Sequence, residues 1–195
     1  MIVRRLLARG FWALSRYRFR SEVPPASGAV LIGAPHTSNW DFAFMLAIAW
    51  THGFAPKWLG KRSLFKFPFG PLMRGLGGIP VDRANPAGLV DEVIRRIRAG
   101  ERFFLVVTPE GTRGRGSHWK SGFYRIARAT DLPLVLGYVD SATRTAGFGA
   151  TIHLTGDVTA DMDRVREFYA DKRGIHPANF TPPVLREEID PSVTD

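Results

Sequence analysis

The chain has 195 residues, with 27 Lys and Arg against 18 Asp and Glu for a formal charge of +9, five His and no Cys. That length suits one domain with a buried core, and a composition of 45% hydrophobic and 23% charged residues excludes a disordered or fibrous chain. The missing cysteine excludes thiol nucleophiles, CxxC redox chemistry, disulfides and cysteine-ligated zinc; the basic surplus points to an anionic partner, whether nucleic acid, acidic lipid headgroups or a phosphorylated small molecule.

Residues 1–20 carry Arg4, Arg5, Arg9, Arg16, Arg18 and Arg20 and no acid. Val3, Leu6, Leu7, Gly10, Phe11 and Leu14 share one stripe at helical spacing, with Arg5, Arg9, Trp12 and Arg16 opposite, which predicts an amphipathic helix. Arg9 and Gly10 interrupt the apolar run a signal peptide needs, and no stretch reaches 18 uncharged apolar residues. Two readings stay open: the helix packs on its own domain, or it lies in a membrane interface with its arginines near anionic phosphates. The content of Phe11, Trp12, Tyr17 and Phe19 favours the membrane.

After Pro24 and Pro25, residues 29–33 read as a short buried strand ending at Pro35-His36, and Asp41 opens an apolar helix that runs to Trp50 and stops at Gly53. Strands are expected at 57–59 and 78–82. Between them Phe65, Phe67, Pro68, Phe69, Pro71, Leu72 and Met73 make an aromatic, proline-rich segment suited to a surface or a ligand lining. Asn85-Pro86 reads as an N-cap with proline at the first helical position, and the helix continues through Leu89, Val93, Ile94 and Ile97 to Gly100. Residues 103–107 form a continuous apolar strand running into Pro109-Glu110-Gly111-Thr112-Arg113. A helix at 119–129, strands at 134–139 and 151–154, and a charged helix at 161–172 follow. The alternation predicts one α/β domain, a mixed sheet flanked by helices, over 21–175, preceded by the amphipathic helix of 1–20 and followed by a loosely attached acidic tail, 176–195. The charge is polarised along it, +10 over 57–128 and −5 over 129–195.

Most fingerprints of chemistry fail. There is no GxSxG elbow, Lys120-Ser121 lacks the glycine of a P-loop, Gly75, Gly77 and Gly78 do not complete GxGxxG, and no HExxH or carboxylate cluster suggests a metal. What survives is His36-Thr37-Ser38-Asn39-Trp40-Asp41, a histidine just past a strand with an aspartate five residues on at a helix start. Such a turn brings the carboxylate against imidazole Nδ1 and leaves Nε2 free as a general base. Without a serine elbow or a cysteine, that base suits direct transfer onto a bound alcohol. A second loop, Pro109 to Arg113, has a glycine that admits a close ligand and an arginine that can grip a phosphate; a third, Gly77 to Arg83, also ends on a basic residue.

Taken together these loops resemble the glycerolipid (lysophosphatidic acid) acyltransferase family. Its His-x4-Asp block matches at His36 and Asp41, its glycine-apolar-Asp-Arg block from Gly77 to Asp82-Arg83 with Pro80 as a departure, and its Phe-Pro-Glu-Gly-Thr-Arg block at Pro109 to Arg113 with Thr108 for the aromatic. A fourth apolar block surrounds Pro133 in Leu132-Pro133-Leu134-Val135, although Gly137 departs from it. The resemblance spans roughly residues 28–140. It implies that His36 and Asp41 are catalytic, that Arg83, Glu110, Gly111, Thr112 and Arg113 bind the acceptor's phosphate end, and that the Pro133 block meets the acyl donor or chain. It further implies transfer from acyl-CoA or acyl carrier protein, as co-substrate without a resident cofactor, to a lysophospholipid such as 1-acylglycerol 3-phosphate, in a protein peripheral to the cytoplasmic face of an anionic membrane. The same chemistry on a lyso-aminolipid or a glycolipid is the nearest alternative. A basic nucleic-acid-binding module is the rival from another class; it lacks a helix-turn-helix, RRM or OB pattern, and its basic residues fall partly inside the acyltransferase blocks.

Overall fold

Short runs of aliphatic residues set the centre of the sheet. Ala29–Gly33 (β2) and Leu134–Asp140 (β6) are buried along nearly their whole length and Phe104–Val107 (β5) at its two central residues, the pattern of parallel strands covered by helices on both faces. A computed structural model describes residues 2–81 and 86–189. Ahead of the centre lie α1 (Ile2–Ser15), β1 (Arg18–Phe19), α2 (Trp40–His52) and β3 (Lys57–Lys61), then a 3-10 turn (Arg62–Phe65), α3 (Gly70–Gly75), β4 (Gly78–Val81) and α4 (Pro86–Arg98). The second half adds α5 (Gly122–Thr130), β7 (Thr145–Ile152), α6 (Val158–Tyr169) and α7 (Arg186–Ile189).

The seven strands lie in the order β1-β7-β6-β2-β5-β3-β4. From β6 to β4 all pairings are parallel, whereas β7 runs antiparallel to β6 and β1 lies parallel to β7 at the edge. This is a single α/β domain with a mixed sheet flanked by helices, as the alternating pattern predicts. Alternate residues feed two cores. Val30, Ile32, Leu105 and Leu136 meet Val93, Phe123 and Val165 of α4, α5 and α6. On the other face Leu31, Val106 and Val135 meet Phe44 and Ile48 of α2, with Phe11 and Trp12 of α1 and Met73 of α3 packed alongside.

The N-terminal helix forms where expected, but the aliphatic part of its stripe turns outward while Phe11 turns in. Ala8 is buried, Phe11 and Trp12 pack on Phe44 with ring centroids 4.9 and 6.0 Å away, and Trp12 Nε1 donates to Thr51 Oγ1 at 2.9 Å. Ile2, Val3, Leu6, Leu7 and Leu14 are exposed. No described helix is long and apolar enough to cross a membrane.

Three expectations need adjustment. Trp119, placed at the start of a helix, instead forms a bridge with Leu185, its N–H donating to Val184 O at 2.8 Å, so the helix begins only at Gly122. The strand expected at 151–154 instead runs from Thr145 to Ile152, because it pairs with β6 from Asp140 back to Leu134, with a register shift between Val135 and Gly137. The described part of the acidic tail is not loose. Leu185 is 1% exposed in the core, Trp119 Nε1 donates to Thr181 O at 2.9 Å, and Glu188 pairs with Arg166 at 2.8 Å. Its acidic and proline content conceals one apolar anchor, and that anchor decides the packing.

Candidate active site

Because β2, β5 and β3 are parallel, the loops that follow them emerge at one end of the sheet. The loop after β2 carries His36 and the loop after β5 carries Glu110. His36 Nδ1 lies 3.2 Å from Asp41 Oδ2, with the two side chains 18% and 10% exposed. The same Oδ2 accepts the Thr37 and Ser38 N–H groups, each at 2.8 Å. Those two bonds fold the turn back on the first turn of α2, and this is what the five-residue spacing accomplishes. A carboxylate there is also favoured by the positive end of the helix dipole. The Nδ1–Oδ2 approach is a close contact off the hydrogen-bonding line, and neither Nδ1 nor Asp41 Oδ1 has a hydrogen-bond partner among the described residues. Imidazolium at His36 would therefore face a carboxylate already oriented by the backbone.

Glu110 is 3% exposed, and its Oε1 accepts the His36 N–H at 2.6 Å. Its Oε2 is buried and unpartnered among the described residues. Burial pushes its carboxyl up to about 7, with the His36 and Thr181 backbone N–H groups pulling in the opposite direction. The resemblance puts Glu110 at the acceptor's phosphate; its direct bond in the structure is to the backbone of the His36 loop. Gly111 has φ +70°, a left-handed conformation that a glycine adopts without strain. Gly111, Thr112 and Arg113 are exposed, and Thr112 Oγ1 accepts the Gly114 N–H at 3.3 Å. Arg113 lines an open cleft of about 520 Å³ beside the His36 turn, with Thr37, Ser38, Asn39 and Trp40 on one wall. Arg83 and the capping Asn85 lie outside the described residues.

Gly114, His176 and Asn179 complete the cleft; from sequence His176 reads only as a loop histidine before Pro177, and Asn179 carries no signal. His176 N–H donates to Thr37 Oγ1 at 3.1 Å, across 139 positions of chain, so no local pattern could signal it. Gly174 permits this approach: a β-carbon there would come within 2.6 Å of Thr37 Oγ1. The other histidines sit elsewhere. His52 ends α2, contacts Ser21 Oγ through Nε2 at 2.6 Å, and has its pKa lowered by burial. His118 is flanked by Ser117 Oγ at 2.8 Å and Lys120 Nζ at 3.3 Å. Among the described residues no three His, Asp or Glu side chains converge so as to hold a metal ion.

Comparison with known proteins gives the setting. A solved structure described as the 1-acyl-sn-glycerophosphate (LPA) acyltransferase, PlsC, from Thermotoga maritima superposes with a TM-score of 0.59 at 16% identity, over 85% of this chain and 75% of that one. That likeness is one of fold. No curated protein matches the chain in sequence. The sequence pattern of the family described as Acyltransferase matches residues 16–136, which include the His36–Asp41 turn and the Glu110–Arg113 loop. With well over half of its length inside that pattern, the chain belongs to the acyltransferase family.

Proposed function

We propose that this acyltransferase moves a fatty acyl group from acyl-CoA or acyl carrier protein to the free hydroxyl of a lysophospholipid, with 1-acylglycerol 3-phosphate as acceptor and phosphatidic acid as product. One observation carries the reading: His36 Nδ1 sits 3.2 Å from a backbone-held Asp41 beside an open cleft that Arg113 enters from the facing loop. The name of the Thermotoga maritima protein and the four sequence blocks agree with it.

His36 Nε2 takes the proton from the acceptor hydroxyl as that oxygen attacks the thioester carbonyl. The tetrahedral intermediate then collapses, the C–S bond breaks, and the departing thiolate takes the proton back from the imidazolium, which Asp41 stabilises in the interval. No covalent enzyme intermediate and no resident cofactor enter. Arg113, with Arg83 from the neighbouring block, grips the acceptor phosphate. Glu110 serves the same site by holding the His36 loop. The exposed stripe of α1, backed by its arginines, lies on the cytoplasmic face of an anionic bilayer.

The test is a mass-spectrometric panel of lysophospholipid acceptors and acyl donors, run with His36→Ala alongside. Turnover on 1-acylglycerol 3-phosphate that the substitution abolishes is the expected result. Failure to release CoA with every lysophospholipid, or full activity in His36→Ala, refutes the reading. A lyso-aminolipid or glycolipid as preferred acceptor would refute the substrate assignment alone.

A further inference from the structure

Twelve large hydrophobic side chains are exposed among the described residues, and all but Ile189 lie between residues 2 and 72. Five belong to the outward stripe of α1. Four more, Leu64, Phe67, Phe69 and Leu72, cluster in the segment that runs from the 3-10 turn after β3 into α3, where Phe67 is 93% exposed. A soluble surface ordinarily scatters such residues singly. Here nine of the twelve fall in α1 and this stretch, on one side of the sheet. Met73 and Phe65 of the segment pack into the same core as Phe11 and Trp12 of α1, and Arg4 of α1 reaches Gly75 O at the end of α3, 3.4 Å away. The opposite layer of α4, α5 and α6 exposes no large hydrophobic side chain among its described residues.

The segment is anchored. Phe65 is 7% exposed and stacks on Trp58 with ring centroids 5.7 Å apart, and Arg74 Nη1 donates to Phe65 O at 3.3 Å. With Phe65 turned in, its neighbours Leu64, Phe67 and Phe69 are turned out. The charge around them has one sign: residues 42–81 contain Lys57, Lys61, Arg62, Lys66 and Arg74 and no Asp or Glu. Apolar tips among cations suit the boundary between anionic headgroups and acyl chains, where apolar burial and electrostatic attraction add. The place in the fold matters as well. The segment leaves the end of β3 that lies beside the His36 and Glu110 loops, two strand spacings from β2, or about 10 Å.

We infer that residues 64–72 are the second half of a bilayer-docking face whose first half is α1, and that this second contact presents the His36 end of the sheet to an anionic lipid surface. The inference rests on the membrane reading above and is tested separately from it. The probe is a vesicle of phosphatidylcholine mixed with phosphatidylglycerol, sedimented with the full-length protein, with Phe67→Ser/Phe69→Ser, and with Leu6→Ser/Leu7→Ser in α1. Both double variants are expected to raise the lipid concentration for half-binding by about tenfold. Because the chain has no cysteine, a single environment-sensitive fluorophore at Phe67→Cys reports insertion directly. Its emission should shift to the blue on vesicles and be quenched by a lipid-borne nitroxide, while the same label at Glu167→Cys on α6 stays unchanged. Three results overturn the inference. Unchanged binding of Phe67→Ser/Phe69→Ser with an unquenched label, while the α1 variant is impaired, removes the second contact and leaves the membrane reading intact. A wild-type protein that ignores the vesicles removes both. A lipid-free dimer by light scattering that the Phe67→Ser/Phe69→Ser variant dissolves would assign the face to a second copy of the chain.

Discussion

Replacing Glu110 with glutamine should make the protein more stable and slower at once. Burial moves the Glu110 carboxyl from its ordinary 4.5 up to about 7. That difference is worth about 3 kcal/mol at about 1.4 kcal/mol per unit. Between those two values the folded protein keeps a proton that the unfolded chain has released, so stability falls as pH rises from 4.5 to 7 and levels off above. Glutamine cannot ionise, and its carbonyl can still accept the His36 N–H. Urea unfolding of wild type and Glu110→Gln at several pH values from 4 to 8 should therefore show the variant gaining about 3 kcal/mol on the wild type across that window. A neutral carbonyl holds a backbone N–H less strongly than a carboxylate does, so kcat should fall several-fold at pH 8 as the His36 loop loosens. A stability difference that stays constant with pH to within about 0.5 kcal/mol, or one that shrinks as pH rises, would refute the assignment of a buried, high-pKa carboxyl at this position.

Asp41→Asn should keep the bonds from Thr37 and Ser38 and lose the charge beside His36 Nδ1, lowering kcat by about 10³ to 10⁴ with KM moved far less; steady-state kinetics on the best acceptor decides it. Asp161, 0% exposed, accepts from the Thr155 N–H and hydroxyl, the Gly156 N–H and Tyr124 OH. Burial pushes its pKa up, but these bonds outweigh it and the net shift is downward. Its contribution is thus present above the ordinary carboxylate range and lost as pH falls through the lowered value; Asp161→Ala should cost about 3 to 5 kcal/mol at pH 7, and a cost under about 1 kcal/mol in urea unfolding would contradict the network. Leu185→Ala should cost about 2 to 5 kcal/mol, whereas a loose tail would show no measurable change in midpoint.

How much of this could be read from the chain alone differs from element to element. Strands β2, β5 and β6 are legible because burial on both faces leaves continuous aliphatic runs, and the His36–Asp41 turn because its bonds are local. Strand β1, two residues long, is invisible because it is defined by pairing with the distant edge of β7. The start of β7 at Thr145 hides in a stretch with two glycines, Gly147 and Gly149, and is fixed instead by pairing with β6. Periodicity finds the stripe on α1 but not its direction. The helix is held by the aromatic side, Phe11 and Trp12, and so faces its aliphatic side outward. In the site, His176 and the inward turn of Glu110 depend on contacts across 139 and 74 residues, beyond any local pattern.

The edge pairing of β1 with β7 carries a consequence in time. Arg18 pairs with Thr145, 127 residues further along the chain. At a synthesis rate of about 5 to 20 residues per second, roughly 6 to 25 s separate the making of the two. For that interval β1 exists without the strand that fixes its place at the edge of the sheet, and closing so long a loop is intrinsically slow. An α1 segment already resting on a lipid surface would meet β7 as a tethered end, so the membrane would take part in assembling the sheet as well as in presenting the substrate.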